Sequence, residues 1–244
     1  EESLSTGKSE AERASEMLNE SLFERLFKDL KKREARDGVR RTVTLDEQYR
    51  MHPVLGQFVS DQFYKPHGES FRSPRPASDF SHSLPGYGGP AAWLSVPRSL
   101  GEERKGQSKS RPEEAQALVA ELKRLMDSPD GRDLTFGVIS FYKEQVNTIK
   151  NALVDAGIVV STEESTEIVE PYRELMLPNG RFAERLRFGT VDAFQGMEFD
   201  VVFLSMVRSN TRGSFGHVTS PNRLCVAMSR QKRLLIVAGD DGML

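Results

Sequence analysis

The sequence predicts an α/β fold with a mainly parallel sheet, and three observations point to it. LTFGVISF, DVVFLSMV and RLLIVAG are apolar along their whole length instead of alternating. Strands of that kind are buried on both faces, as in a parallel sheet covered by helices. Helix-patterned stretches separate them, the order of elements that a layered α/β domain requires. A length of 244 residues suits one domain with insertions.

Taken in order, residues 1–16 are polar and rich in Ser and Glu, and read as a flexible leader or the cut end of a longer chain. The domain proper is expected over 17–244. Leu18, Leu22, Phe23, Leu26, Phe27 and Leu30 recur at helical spacing, so 17–36 is an amphipathic helix. RTVTL, 41–45, is β-branched and reads as a strand. VLGQFVSDQFY after Pro53 reads as a helix, and AAWLSV, 91–96, as a strand. The proline- and glycine-rich stretch 65–90 is an irregular insertion, and 99–111 a charged loop. PEEAQALVAELKRLM starts on the proline that suits a first helical position. YKEQVNTIKNALVDAG ends on Gly157, as helices often do. IVVST is a strand candidate, 162–186 a second insertion, RFGTVDA another strand, and SPNRLCVAMSRQ the last helix.

Composition bounds the function. Thirty-four basic and 36 acidic residues give a net charge of −2, so nucleic-acid binding would need a local patch. The segment 28–41, with seven basic and three acidic residues, is such a patch or simply a solvated helix face. Cys225 is the single cysteine, which excludes an internal disulfide and fits a reducing compartment. No run of 18 apolar residues exists, and the N-terminus lacks a secretory pattern. A cytoplasmic or nuclear, membrane-free location is therefore expected.

Four stretches carry chemistry. In DEQYRMHP, 46–53, an aromatic ring stands beside a fixed positive charge, a pairing suited to a flat anionic ligand. TVDAFQGMEFDVVFLS, 190–205, places Asp192, Gln195, Gly196 and Glu198 where a strand exits. Ligands in parallel sheets bind beyond strand carboxyl ends; the plainer alternative is a turn that caps a helix. In NRLCVAMSRQKRLLIVAG, 222–239, Arg223 and Arg230 lie two helical turns apart on one face. The alternative there is that Arg230 complements the helix dipole. VISFYKEQ, 138–145, ends a strand in Ser140, Phe141 and Tyr142, hydroxyls and rings that can meet phosphates and bases.

Together and in this order, QYRMHP, SFYKEQ, TVDAFQGMEFD and NRLCVAMSRQKR resemble the second motor lobe of superfamily-1 helicases, in the branch of the nonsense-mediated-decay helicase. The resemblance runs over about residues 17–240. It implies a RecA-like, P-loop-NTPase-type three-layer fold. It also implies that Tyr49 stacks on adenine, that Arg50 and Arg230 reach the γ-phosphate, and that Gln195 and Gly196 line the nucleotide cleft. Glu198 would approach the ribose, and Ser140, Tyr142 and Thr190 would face the nucleic-acid strand. ATP and Mg²⁺ are the implied cofactors, with Mg²⁺ held by an N-terminal lobe of the same full-length chain. The partners are that lobe and single-stranded DNA or RNA. His52 and Pro53 would shape their loop, and no metal-ligating cluster accompanies His52.

The chain lacks its own P-loop. STGKSE, 5–10, has Glu2 where the motif needs glycine, and no apolar strand precedes it. Residues 1–16 then read as a connection between lobes. Two functions follow as expectations: the C-terminal lobe of an ATP-dependent helicase or translocase, inactive by itself, or a degenerate lobe that binds nucleic acid or protein without ATP.

Overall fold

The computed structural model describes residues 22–43 and 45–244. The chain divides into two compact units, residues 1–45 and 46–244. In the first, helix α1 spans Leu22–Asp37 and ends in an Asp37–Arg41 ion pair. The expected start of this helix at residue 17, the leader and the STGKSE segment lie outside the described residues. The strand expected over 41–45 does not form at the described positions. Its backbone donors go elsewhere: the Glu34 carboxylate accepts the N–H groups of Arg41 and Thr42 and the Thr42 hydroxyl.

The second unit is built on a five-stranded, all-parallel sheet. Its strands are β1 (Ala91–Ser95), β2 (Phe136–Ser140), β7 (Leu186–Thr190), β8 (Phe199–Ser205) and β9 (Gln231–Gly239). The order across the sheet is β1-β9-β8-β2-β7. Side chains alternate between two cores. Phe136, Val138, Val201, Phe203, Leu234 and Ile236 enter one, under helices α3 (Pro112–Asp127) and α4 (Lys143–Asp155). Ile139, Val202, Leu204, Leu235 and Val237 enter the other, with Met51, Leu55, Val59 and Phe194. There the cover is helix α2 (Pro53–Val59), a turn at Val191–Phe194 and helix α5 (Pro221–Ala227). This three-layer arrangement is the α/β fold that the alternation of elements predicts, in the RecA-like form that the resemblance implies.

Local chemistry sets the helix ends. Pro112 opens α3, with Glu113 and Glu114 in its first turn. Leu118, Leu122, Leu125 and Met126 recur at helical spacing and are buried. Gly157 takes φ +72 just after α4, a conformation that favours glycine. Helix α2 runs on through a π turn at Ser60–Tyr64 and a short turn at Lys65–His67.

Three elements differ from expectation. The insertion 162–186 is not irregular throughout: its β4 (Thr166–Ile168) pairs antiparallel with the preceding β3 (Val159–Ser161), and its β5 (Glu174–Met176) with β6 (Phe182–Glu184). β7 stops at Thr190 instead of continuing to Ala193. Its parallel neighbours require the chain to travel back along the sheet before β8, and residues 191–198 make that return. Helix α5 ends at Ala227, and Arg230 lies beyond it. Arg230 O accepts Phe199 N–H, which draws residues 230–231 into the sheet.

One buried network fixes the carboxyl edge. Glu114, fully buried, accepts the Ser205 hydroxyl at 2.6 Å and Val207 N–H at 2.9 Å. Arg111, equally buried, stands 3.6 Å from the same carboxylate. Val207 adopts φ +68, a strained conformation for a β-branched residue that persists only under external constraint. Burial pushes the Glu114 carboxyl from 4.5 to about 7. Glu114→Ala should lower unfolding free energy by about 3–5 kcal/mol in urea titrations, because it strands a buried arginine. Separately, a raised carboxyl pKa means that the native state holds a proton more tightly, and the stabilisation from that proton is complete below 4.5 and lost as pH rises through about 7. Glu114→Gln should therefore gain on the parent across that interval.

Candidate nucleotide site at the amino edge of the sheet

The residues singled out in the sequence divide between the two ends of the sheet. Arg50, Glu198 and Arg230 come together at the amino ends of β8 and β9. Glu198 immediately precedes β8, and Arg230 immediately precedes β9. The sequence suggested a site beyond a strand carboxyl end; the return of residues 191–198 places it at the opposite end.

Three segments supply the cluster: 46–52, 197–198 and 226–232. The loop 46–52 is held to β9 by His52 N–H donating to Lys232 O at 2.8 Å. His52 also caps α2, its Nδ1 accepting Val54 N–H. Arg50 Nε donates to Glu198 Oε2 at 3.1 Å, and Arg50 NH1 to Ser229 O at 3.0 Å. Lys232 Nζ lies 3.2 Å from Glu198 Oε1. Arg230 donates to Val226 O at 3.0 Å, to Ser229 Oγ at 2.8 Å and to Met197 O at 3.4 Å. It thus serves the last turn of α5, as the plainer alternative expected, while standing within the electrostatic reach of Arg50. Burial, then the neighbouring Arg50, push its pKa down. Glu198 is held below its usual value: burial opposes, but Arg50 and Lys232 outweigh it.

Three cations therefore surround one carboxylate, an excess of two positive charges. An unbalanced cationic cluster attracts polyanions. Tyr49 is exposed beside it, with its hydroxyl donating to Glu47. Gln195 is exposed on the approach to β8. Gly196 has φ +82 with open space around it, so backbone conformation, not crowding, calls for glycine there.

The sequence did not mark two further residues. Lys232 stands among several basic residues between the last helix and the strand RLLIVAG, and nothing local singles it out. Gln48 shapes the loop: its Oε1 accepts Arg50 N–H at 3.0 Å and Met51 N–H at 2.7 Å, and its Nε2 donates to Met51 O at 2.9 Å and Ser73 Oγ at 2.6 Å. A glutamine inside a quoted motif was a signal that could have been followed. Arg223, expected to share a face with Arg230, pairs instead with Asp192 at 2.9 Å.

At the carboxyl ends, Ser140, Phe141 and Tyr142 are buried, and Thr190 is half-buried. Ser140 Oγ donates to Ser205 O at 3.4 Å, and Tyr142 OH accepts from Arg208 at 3.3 Å. Arg208 also pairs with Glu103 at 2.7 Å. The expected strand-facing residues thus share an edge away from the cationic cluster, but the side chains of Ser140 and Tyr142 are turned into the protein. The second core and the Ser205 network claim them.

Residues 18–242 match the family model described as an AAA domain. The chain is 32% identical over 233 residues to the regulator of nonsense transcripts 1 homolog of Neurospora crassa, covering 93% of this chain and 18% of that protein. It is 28% identical to the DNA-binding protein SMUBP-2 of Rattus norvegicus, covering 91% of this chain and 20% of that one. It is 29% identical to the DNA polymerase alpha-associated DNA helicase A of Saccharomyces cerevisiae, covering 91% and 30%. The chain belongs to the AAA domain family. It spans 18–30% of the length of these relatives. Among the described residues, no helix is long and apolar enough to cross a membrane.

Gln48→Ala should remove the support of the Tyr49–Met51 loop. The expected cost is roughly 1–3 kcal/mol of unfolding free energy, from several partly buried hydrogen bonds. Urea denaturation of this chain checks it; an unchanged midpoint would mean that the loop is held by other contacts.

Proposed function

We propose that this domain completes the ATP site of a two-lobe helicase or translocase, with Arg50 and Arg230 as the groups that act on the γ-phosphate. The observation that carries the proposal is the excess positive charge at the amino edge, gathered from segments about 180 residues apart in sequence. A guanidinium gives a fixed charge and paired donors to phosphate oxygens. Phosphoryl transfer depends on positioning and charge stabilisation, which such groups supply. Tyr49 offers an exposed ring for the adenine, Gln195 and Gly196 line the cleft, and Glu198 accepts from the ribose. Each of these roles fits the donor set at the site. Mg²⁺, bound by the P-loop lobe, would neutralise phosphate charge.

In this structure the donors of Arg50 and Arg230 rest on protein acceptors. Engagement of a phosphate then means exchanging carbonyl and carboxylate partners for a more highly charged one. Because the exchange depends on a nucleotide between two lobes, it can couple hydrolysis to lobe movement. The strand, DNA or RNA, is assigned to the carboxyl edge near Thr190, Ser140 and Tyr142. With Ser140 and Tyr142 buried, contact there calls for backbone groups or a local rearrangement. A degenerate binding lobe is the second reading; the gathering of Arg50, Glu198 and Arg230 at one edge disfavours it, since a lobe that no longer meets nucleotide has no need of that grouping.

Alone, the domain should hydrolyse ATP negligibly. Joined to a P-loop lobe, it should become an ATPase stimulated by single strands, with stimulation weakening as salt rises. There, Arg230→Ala should lower turnover by about 10³ or more while changing nucleotide affinity little. Tyr49→Ala should act chiefly on affinity, since stacking is present in the ground state. Steady-state kinetics with each strand type at two salt concentrations separate these outcomes. An unchanged rate in Arg230→Ala would leave that arginine as a helix-end group only.

A further inference from the structure

The Glu198 carboxylate has a divided arrangement that the proposed chemistry leaves unused. Its two oxygens serve two cations separately: Oε2 takes Arg50 and Oε1 takes Lys232. The two cations differ in how they are mounted. Lys232 is the second residue of β9, with its carbonyl tied to His52 N–H. Arg50 sits on a loop without regular structure; its backbone N–H rests on Gln48 Oε1, and beyond Glu198 its guanidinium is anchored by a single bond to Ser229 O. Arg230, the third cation in reach, is committed to carbonyl and hydroxyl oxygens of its own segment and of Met197.

If Arg50 turns its Nε side to a phosphate, it must leave Glu198. A carboxylate partly removed from water would then lose a cation, which is unfavourable unless a second one stays. We propose that Lys232 is a positioning residue for the nucleotide reaction, keeping Glu198 paired and in place so that Arg50 is free to move. The proposal rests on the nucleotide-site assignment made above. It also gives Glu198 two roles in sequence: it holds Arg50 while the site awaits its substrate, and then presents the freed Oε2 to the sugar while Lys232 retains Oε1. Loss of Lys232 leaves Arg50 as the main partner of Glu198 and makes its release harder. Because the pair is partly exposed, water offsets some of the loss, and the effect should be modest.

The test is strand-stimulated ATP turnover in the two-lobe protein. Lys232→Ala should lower kcat about fivefold, the scale of a partly exposed ion pair. Lys232→Arg should restore most of it. In a Glu198→Gln background, Lys232→Ala should have no further effect, because the carboxylate through which it acts is already neutral. Lys232→Met, which keeps the apolar stem, replaces the alanine variant if the latter melts early. Equal losses with and without Glu198 would overturn the proposal, since Lys232 would then act on the nucleotide directly. So would an unchanged kcat in Lys232→Ala, or failure of Arg to restore it. Arg50→Ala is the control: if it leaves turnover intact, the nucleotide assignment itself fails and takes the proposal with it. If Arg50→Ala is inactive and Lys232→Ala is normal, only the role of Lys232 is lost.

Discussion

The ion pairs of Glu198 tie together parts of the chain that nothing local would bring together. Arg50 comes from the loop before α2, Glu198 from the return into β8, and Lys232 from the start of β9. His52 N–H on Lys232 O and Phe199 N–H on Arg230 O fix the backbones on which these side chains stand. The amino edge is therefore organised by sheet pairing first and charge second. Its side chains hold three cations near one anion only because the backbone leaves them there.

That edge is a consequence of parallel topology. Each strand of a parallel sheet starts at the same end, so the residues just before β8 and β9 become neighbours across the sheet. The opposite end gathers a different chemistry. There Glu114, Ser205, Arg111 and the strained Val207 form a buried network, and Glu103 pairs with Arg208. Charge is balanced at the carboxyl edge and unbalanced at the amino edge. Polar groups that are fully satisfied rigidify a structure, whereas unbalanced ones call for a partner.

How much of this was legible in the sequence can be judged residue by residue. The apolar strands β2, β8 and β9 were readable because burial on both faces leaves no polar position. The helices α3 and α4 were readable from spacing and from Pro112 and Gly157. RTVTL was misread because β propensity competes with local acceptors, and Glu34 captured its donors. Helix α5 was read too long because helical spacing cannot show where a neighbouring strand captures the chain. Arg50, Glu198 and Arg230 were found through motif order, yet their location at the amino end was not. That required knowing that residues 191–198 run back along the sheet. Lys232 and Gln48 were missed since each acts through a partner: one holds a carboxylate, the other a loop backbone. The burial of Ser140 and Tyr142 likewise depends on tertiary packing that no local pattern encodes.

The central claim is that Arg50 changes partners when nucleotide arrives while Lys232 does not. A crystal structure of the two-lobe protein with a non-hydrolysable ATP analogue tests it most directly. The account predicts that the Arg50–Glu198 pair, 3.1 Å here, is broken and the guanidinium turned to phosphate, with Lys232 still on Glu198. Nucleotide bound between the lobes with Arg50 still on Glu198 would contradict it.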